Sequence, residues 1–224
     1  MVRINKLSPI IFLIVGLMLI GSVSTISIKS YIKNKSVNAP SYNKAFSQSK
    51  NNLNKDGDSK GIFFKKPGKL PNRTLLKIYK KKKVLELYGD NKLIGVLGVS
   101  LGSSIDGKKE MQGDNKIPEG SYYVCYKTDK TKHTYFIGIS YPNINDAKKG
   151  LEQGMINEKT FDRIKNSIDN KKQPPWNTAL GGDVGIHGGK GTSSLTYGSI
   201  VLSNSDINIL KNYVKLNTPV YIYP

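Results

Sequence analysis

The chain has 224 residues, 38% of them hydrophobic and 23% charged, and its 35 Lys plus Arg against 16 Asp plus Glu give a formal net charge of +19. That length fits one globular domain with appended segments, and a lone cysteine, Cys125, excludes an intrachain disulfide or a cysteine-based metal cluster. The charge asks for a polyanionic neighbour, and without a zinc finger, aromatic RNP strand or basic zipper a membrane or anionic wall surface is expected and nucleic acid is not.

Residues 1–6, with Arg3 and Lys6, read as a cytoplasmic segment or signal n-region. Residues 7–28 hold no charge for 22 positions. As a helix that stretch would be about 33 Å long, enough to cross a bilayer core. It is expected to be an uncleaved single-span anchor, since Ser22 and Ser24 make only a weak small-residue cleavage site; a cleaved signal peptide would instead leave a secreted domain. Residues 29–72 are rich in Lys, Asn and Ser, with few large apolar side chains, and read as a flexible linker.

From there short alternating segments point to a β-meander over 75–79, 84–88 and 93–101, split by the lysine turn 80–83 and by Gly89-Asp90-Asn91. The four lysines are expected to be solvated. Two further strands are expected at 121–127 and 133–140. The period then changes: Asn157 can cap a helix carrying Phe161, Ile164 and Ile168 on one face, and a shorter helix fits 147–153. A last helix over 206–216 and a closing strand over 219–223 complete a β-rich α+β domain with a short helical insertion.

The run GDVGIHGGKGTSSLTYGSIVLSN holds the chemistry. His187 ends a short β-branched run before two glycines, and Ser199 follows Gly198 twelve positions on, the pairing of base and small nucleophile that acyl transfer requires. Taken singly, His187 reads as a buried structural histidine and Ser199 as a turn serine; only their register to each other carries a functional meaning. His133, in KHTYFIGISYP, is expected to be a surface histidine of an edge strand, with groove lining as the alternative. Cys125 is expected to be a small core residue and not a displaced nucleophile. Trp176, after two prolines, either covers the site or packs the insertion. Two histidines without a carboxylate cluster make no metal site, and no P-loop, dinucleotide fingerprint or HExxH run suggests a cofactor.

Several pieces in order, LLKIYKKKKVLELYGDNKLIGVLGVSLG, GDNKIPEGSYYV, ISYPN, PPWNTALGGDVGIHGG and TYGSIVLSN, resemble the L,D-transpeptidase (YkuD-type) catalytic domain over residues 73–224. The resemblance implies a β-rich sheet or barrel that needs no cofactor and joins peptidoglycan stem peptides by acyl transfer. It also implies a domain on the extracytoplasmic side of the cell membrane, near anionic cell-wall polymers. In that family a cysteine thiolate attacks the donor carbonyl and a histidine shuttles the proton. Position by position, His187 falls on the base, the Gly188 carbonyl on the group orienting its ring, and Ser199 on the cysteine. Backbone amides near Tyr197 and Gly198 fall on the oxyanion hole. Thr196 and Tyr141 fall at the border of the substrate groove, and Thr196-Tyr197-Gly198 follows the T-x-G subgroup pattern. The missing sulfur leaves two main readings open: a transpeptidase with impaired activity, or an inactive pseudoenzyme that binds wall peptides or a partner. A serine hydrolase and an unrelated anchored polyanion binder are the remaining ones, and a serine introduced in place of cysteine would read the same.

Overall fold

The computed structural model describes residues 62–101, 106–189 and 197–224. The expected membrane segment 7–28, most of the linker and Thr196 lie outside them. Among the described residues no helix is long and apolar enough to cross a membrane.

The meander forms as β2 (Thr74–Tyr79), β3 (Val84–Gly89) and β4 (Lys92–Gly98), paired antiparallel. Alternation places Leu76, Ile78, Leu85 and Leu87 in the core with no exposed surface. Asp90 and Asn91 both take positive φ, 47° and 66°, as a two-residue hairpin turn demands. The Asp90 carboxylate also accepts the amides of Asn72 and Arg73. Two expectations fail here. Lys80 is not solvated: it is 1% exposed, and its ammonium donates to Glu119 Oε1 and the Gly107 carbonyl, both at 2.6 Å. The far end of the expected linker is also folded, since β1 (Phe63–Phe64) pairs with β4 and Phe64 packs edge-on against Tyr213.

The chain's last strand, β9 (Pro219–Tyr223), sits between β2, to which it is parallel, and β5 (Gly120–Thr128), to which it is antiparallel. Residues 120–123 of β5 pair with β9, and beyond an irregularity at Val124/Tyr126 the rest pairs with β6 (Phe136–Ile139). β7 (Gly185–Gly189) and β8 (Ile200–Ser203) complete the order β1-β4-β3-β2-β9-β5-β6-β7-β8. Ser100, just past β4, exchanges two 2.8 Å backbone hydrogen bonds with Val201 of β8. The sheet therefore curls back toward its own start around one apolar cluster running from Leu76 to Ile222.

The insertion between β6 and β7 holds α1 (Ile144–Glu152) and α2 (Glu158–Asp169). α2 starts from Asn157 as expected and buries Phe161 and Ile164. α1 begins three residues before the expected start, because Asn143 and Asp146 form a reciprocal capping box. α3 (Asn204–Leu210) is shorter than expected at its C-terminal end; the Lys127 ammonium takes the Lys211 and Val214 carbonyls, so the chain leaves the helix while Tyr213 and Val214 stay buried. The observed domain is a β-rich sheet with three helices among the described residues.

The mid-sheet position of β9 makes Ile222, 2% exposed, a test of the topology. Ile222→Ala is expected to cost about 2–5 kcal/mol in urea denaturation of the whole protein. Ile62→Ala, at a side chain 70% exposed, should stay within roughly 0.5 kcal/mol of wild type.

Candidate active site

β6, β7 and β8 divide their side chains between two faces. Ile137, Ile139, Ile186, Ile200 and Leu202 belong to the apolar cluster. The alternate positions Phe136, His187 and Val201 lie opposite one another in register on the other face. Ser199 stands two residues before Val201 and immediately before β8. His187 is 8% exposed and Ser199 half-buried.

His187 Nδ1 lies 2.9 Å from the Gly188 carbonyl oxygen. A carbonyl only accepts, so Nδ1 carries the proton and Nε2 of the neutral ring keeps its lone pair. One face of the ring is covered by His133, whose imidazole stacks on it at 3.8 Å between centroids and 24° between planes. Burial holds His187 below the ordinary histidine pKa; the Gly188 carbonyl opposes this and the Lys132 ammonium adds to it. His133 is also held low, first by burial, then by His187 and Lys132.

Gly198 is buried with φ +97°, and a Cβ there would stand 2.7 Å from the Lys116 carbonyl oxygen, so the residue preceding Ser199 has to be glycine on both counts. The Tyr197 side chain is 85% exposed. Its backbone and that of Gly198 adjoin Ser199, where the resemblance places an oxyanion hole. Tyr141 is not available to a substrate: it is fully buried in the core and its hydroxyl donates to the Leu180 carbonyl at 3.0 Å.

Trp176 lies on the His187 face of the sheet. A Cβ at Gly138 would come within 2.8 Å of its ring, and Gly138 pairs with Gly185, two residues along from the Phe136 and His187 pair. Tyr126 packs edge-on to the indole at 5.9 Å and tilted to Phe136 at 6.4 Å, forming an aromatic wall beside the imidazoles. An open groove of about 620 Å³ is lined by Trp176, Arg163, Asn166 and Gln173, and His187 is not part of its lining. Cys125 is half-buried and its thiol donates to the Gly138 carbonyl at 3.6 Å. Burial pushes that thiol up to about 12, so it holds no thiolate near neutrality.

His133 is the site residue that sequence alone misplaced. Its expected strand 133–140 forms only from Phe136, and the loop before it folds over β7, with Thr134 bonded to Asn204 Oδ1 at 2.6 Å. The one available signal was the short spacing of His133 from Phe136, the residue that faces His187. Among the described residues no group of His, Cys, Asp and Glu is placed to hold a metal ion.

The YkuD family model, described as the L,D-transpeptidase catalytic domain, matches residues 73–222. Among curated proteins none is significantly similar in sequence. Similar solved structures include Bd1075 of Bdellovibrio bacteriovorus, 20% identical over 71% of this chain and 50% of that one at a TM-score of 0.45. The helical cell shape determining protein Pgp2 of Campylobacter jejuni is 20% identical over 68% of this chain and 48% of its own, with a TM-score of 0.46. An L,D-transpeptidase of Xylanimonas cellulosilytica is 17% identical over 70% and 63%, with a TM-score of 0.38. The chain thus spans about half the length of the first two.

Because both histidines are held below their ordinary value, the unfolded chain takes up protons before the folded one. Stability is expected to be complete above about pH 7 and to fall as the pH drops through 6.5 toward the folded values. Urea midpoints at pH 7.5 and 5.5 test this, with the acid drop expected to shrink in the double variant His133→Gln, His187→Gln. Equal midpoints at the two pH values would contradict it.

Proposed function

The chain belongs to the YkuD family of L,D-transpeptidase catalytic domains, and from that membership and the arrangement of His187 and Ser199 we propose acyl transfer between peptidoglycan stem peptides as its function. The observation that carries this is the 2.9 Å bond from His187 Nδ1–H to the Gly188 carbonyl, which leaves Nε2 with its lone pair and able to act as a base. In the reaction Ser199 Oγ attacks the donor carbonyl while its proton passes to Nε2. His187 returns that proton to the leaving amine as the carbon–nitrogen bond breaks, leaving an ester on the serine. An amine of a second stem peptide then attacks the ester, and the serine recovers its proton. The amides about Gly198 would hold the oxygen that becomes negative.

Serine weakens this design. A cysteine in the same place would have pKa about 8.5, lowered further by a cationic neighbour, whereas a serine hydroxyl must lose its proton during attack. Low intrinsic activity follows, and the same substitution favours a second reading in which the domain binds wall peptides without processing them. The uncharged stretch 7–28 and the net charge of +19 support a further proposal: the domain is tethered on the outer face of the cell membrane and held against anionic wall polymers.

The test incubates wild type, Ser199→Cys and Ser199→Ala with tetrapeptide muropeptides and follows products by mass spectrometry. Ser199→Cys should form cross-linked or exchanged product at least about tenfold faster than wild type, and Ser199→Ala none. Saturable binding by wild type with product from Ser199→Cys alone selects the binding role. Absence of both binding and product in all three proteins would overturn the assignment.

A further inference from the structure

The two histidines are the only ones in the chain, and the fold puts one on top of the other. We propose that His133 is a positioning residue for His187: its imidazole, stacked face to face on the base, fixes the ring in the rotamer that leaves Nε2 open toward Ser199. At 3.8 Å it also ensures that the pair takes up one proton at a time. This deepens, and rests on, the acyl-transfer role of His187.

Geometry supplies both halves. The Gly188 carbonyl holds Nδ1 from within the ring plane, while the stack at 24° restrains the same ring from above. One in-plane bond alone leaves the imidazole free to tilt about it; the second contact removes that freedom. His133 is half-exposed and His187 is 8% exposed, so a first proton on either ring is only partly solvated. A second proton would then set two like charges face to face.

Other groups also face the pair. From the same loop comes the Lys132 ammonium, which disfavours charge on both rings. β6 contributes the apolar Phe136 and β8 the apolar Val201 opposite His187, while β7 contributes the Gly188 carbonyl, which favours charge on His187. Ser199, just before β8, brings a neutral hydroxyl. Among the described residues no carboxylate acts on either ring to favour its cation. A charge on one ring thus disfavours a charge on the other, and the second proton enters only at lower pH than the first.

The experiment is an NMR pH titration of the imidazole protons in the full chain, for wild type, His133→Phe and His133→Gln. In wild type the two rings should titrate as a coupled pair, each resonance sensing the protonation of the other. In His133→Phe the aromatic cover remains and the second titrating ring is gone, so His187 should titrate in a single simple step. His133→Gln gives the same reading with a polar replacement should the Phe variant fail to fold. A His187 titration unchanged in shape in both variants, or two rings that titrate independently in wild type, would overturn the proposal. These titrations need no turnover. Failure of acyl transfer with a coupled pair intact would therefore count against the proposed function alone, and an uncoupled pair against the role of His133 alone.

Discussion

Parallel pairing of β7 with β8, in the register that sets His187 opposite Val201, is the constraint on which the candidate site depends. Ser199 is remote from His187 along the chain and stands two residues before its register partner Val201, just outside β8. A slip of one residue in β8 would turn an isoleucine or leucine toward the imidazole. The register is held from both sides: Ile186, Ile200 and Leu202 are buried in the core, and Ser100 clamps Val201 with two backbone hydrogen bonds. Gly198 adds a local condition, for its positive φ and its approach to Lys116 exclude any side chain just before the serine.

The electrostatics around that register suit a neutral imidazole. Burial and Lys132 oppose charge on His187, and the Gly188 carbonyl favours it. A neutral histidine with a free Nε2 is the partner a hydroxyl needs, since the proton must leave during attack and not before it. A thiolate and imidazolium pair would be served by the opposite arrangement. The surroundings of His187 thus fit Ser199 better than residue identity alone implies, even though oxygen remains the poorer nucleophile. Cys125 does not take the missing role, because its thiol is spent on the Gly138 carbonyl and is pushed far above neutrality.

Sequence periodicity made most of the sheet legible because the strands are short, alternating and punctuated by turn residues. Asp90 and Asn91 announced their hairpin, and Asn157 its helix. What could not be read were contacts made between distant segments. Lys80 looks solvated until Glu119 and the Gly107 carbonyl, 39 and 27 residues away, are brought to it. Phe63 and Phe64 look like the end of a polar linker until β4 offers an edge. Tyr141 was placed at the groove by resemblance but is drawn into the core, with its hydroxyl satisfied by Leu180. His133 belongs to the same class, for only its short spacing from Phe136 hints that a loop folds it onto β7.

The most direct measurement of the central claim is a crystal structure of the protein with a stem tetrapeptide bound. The donor carbonyl carbon should lie within about 3–3.5 Å of Ser199 Oγ, with the hydroxyl proton directed at His187 Nε2. The amides about Gly198 should point at its oxygen. A peptide bound away from these two side chains, or an imidazole whose Nε2 faces away from Ser199, would contradict the account.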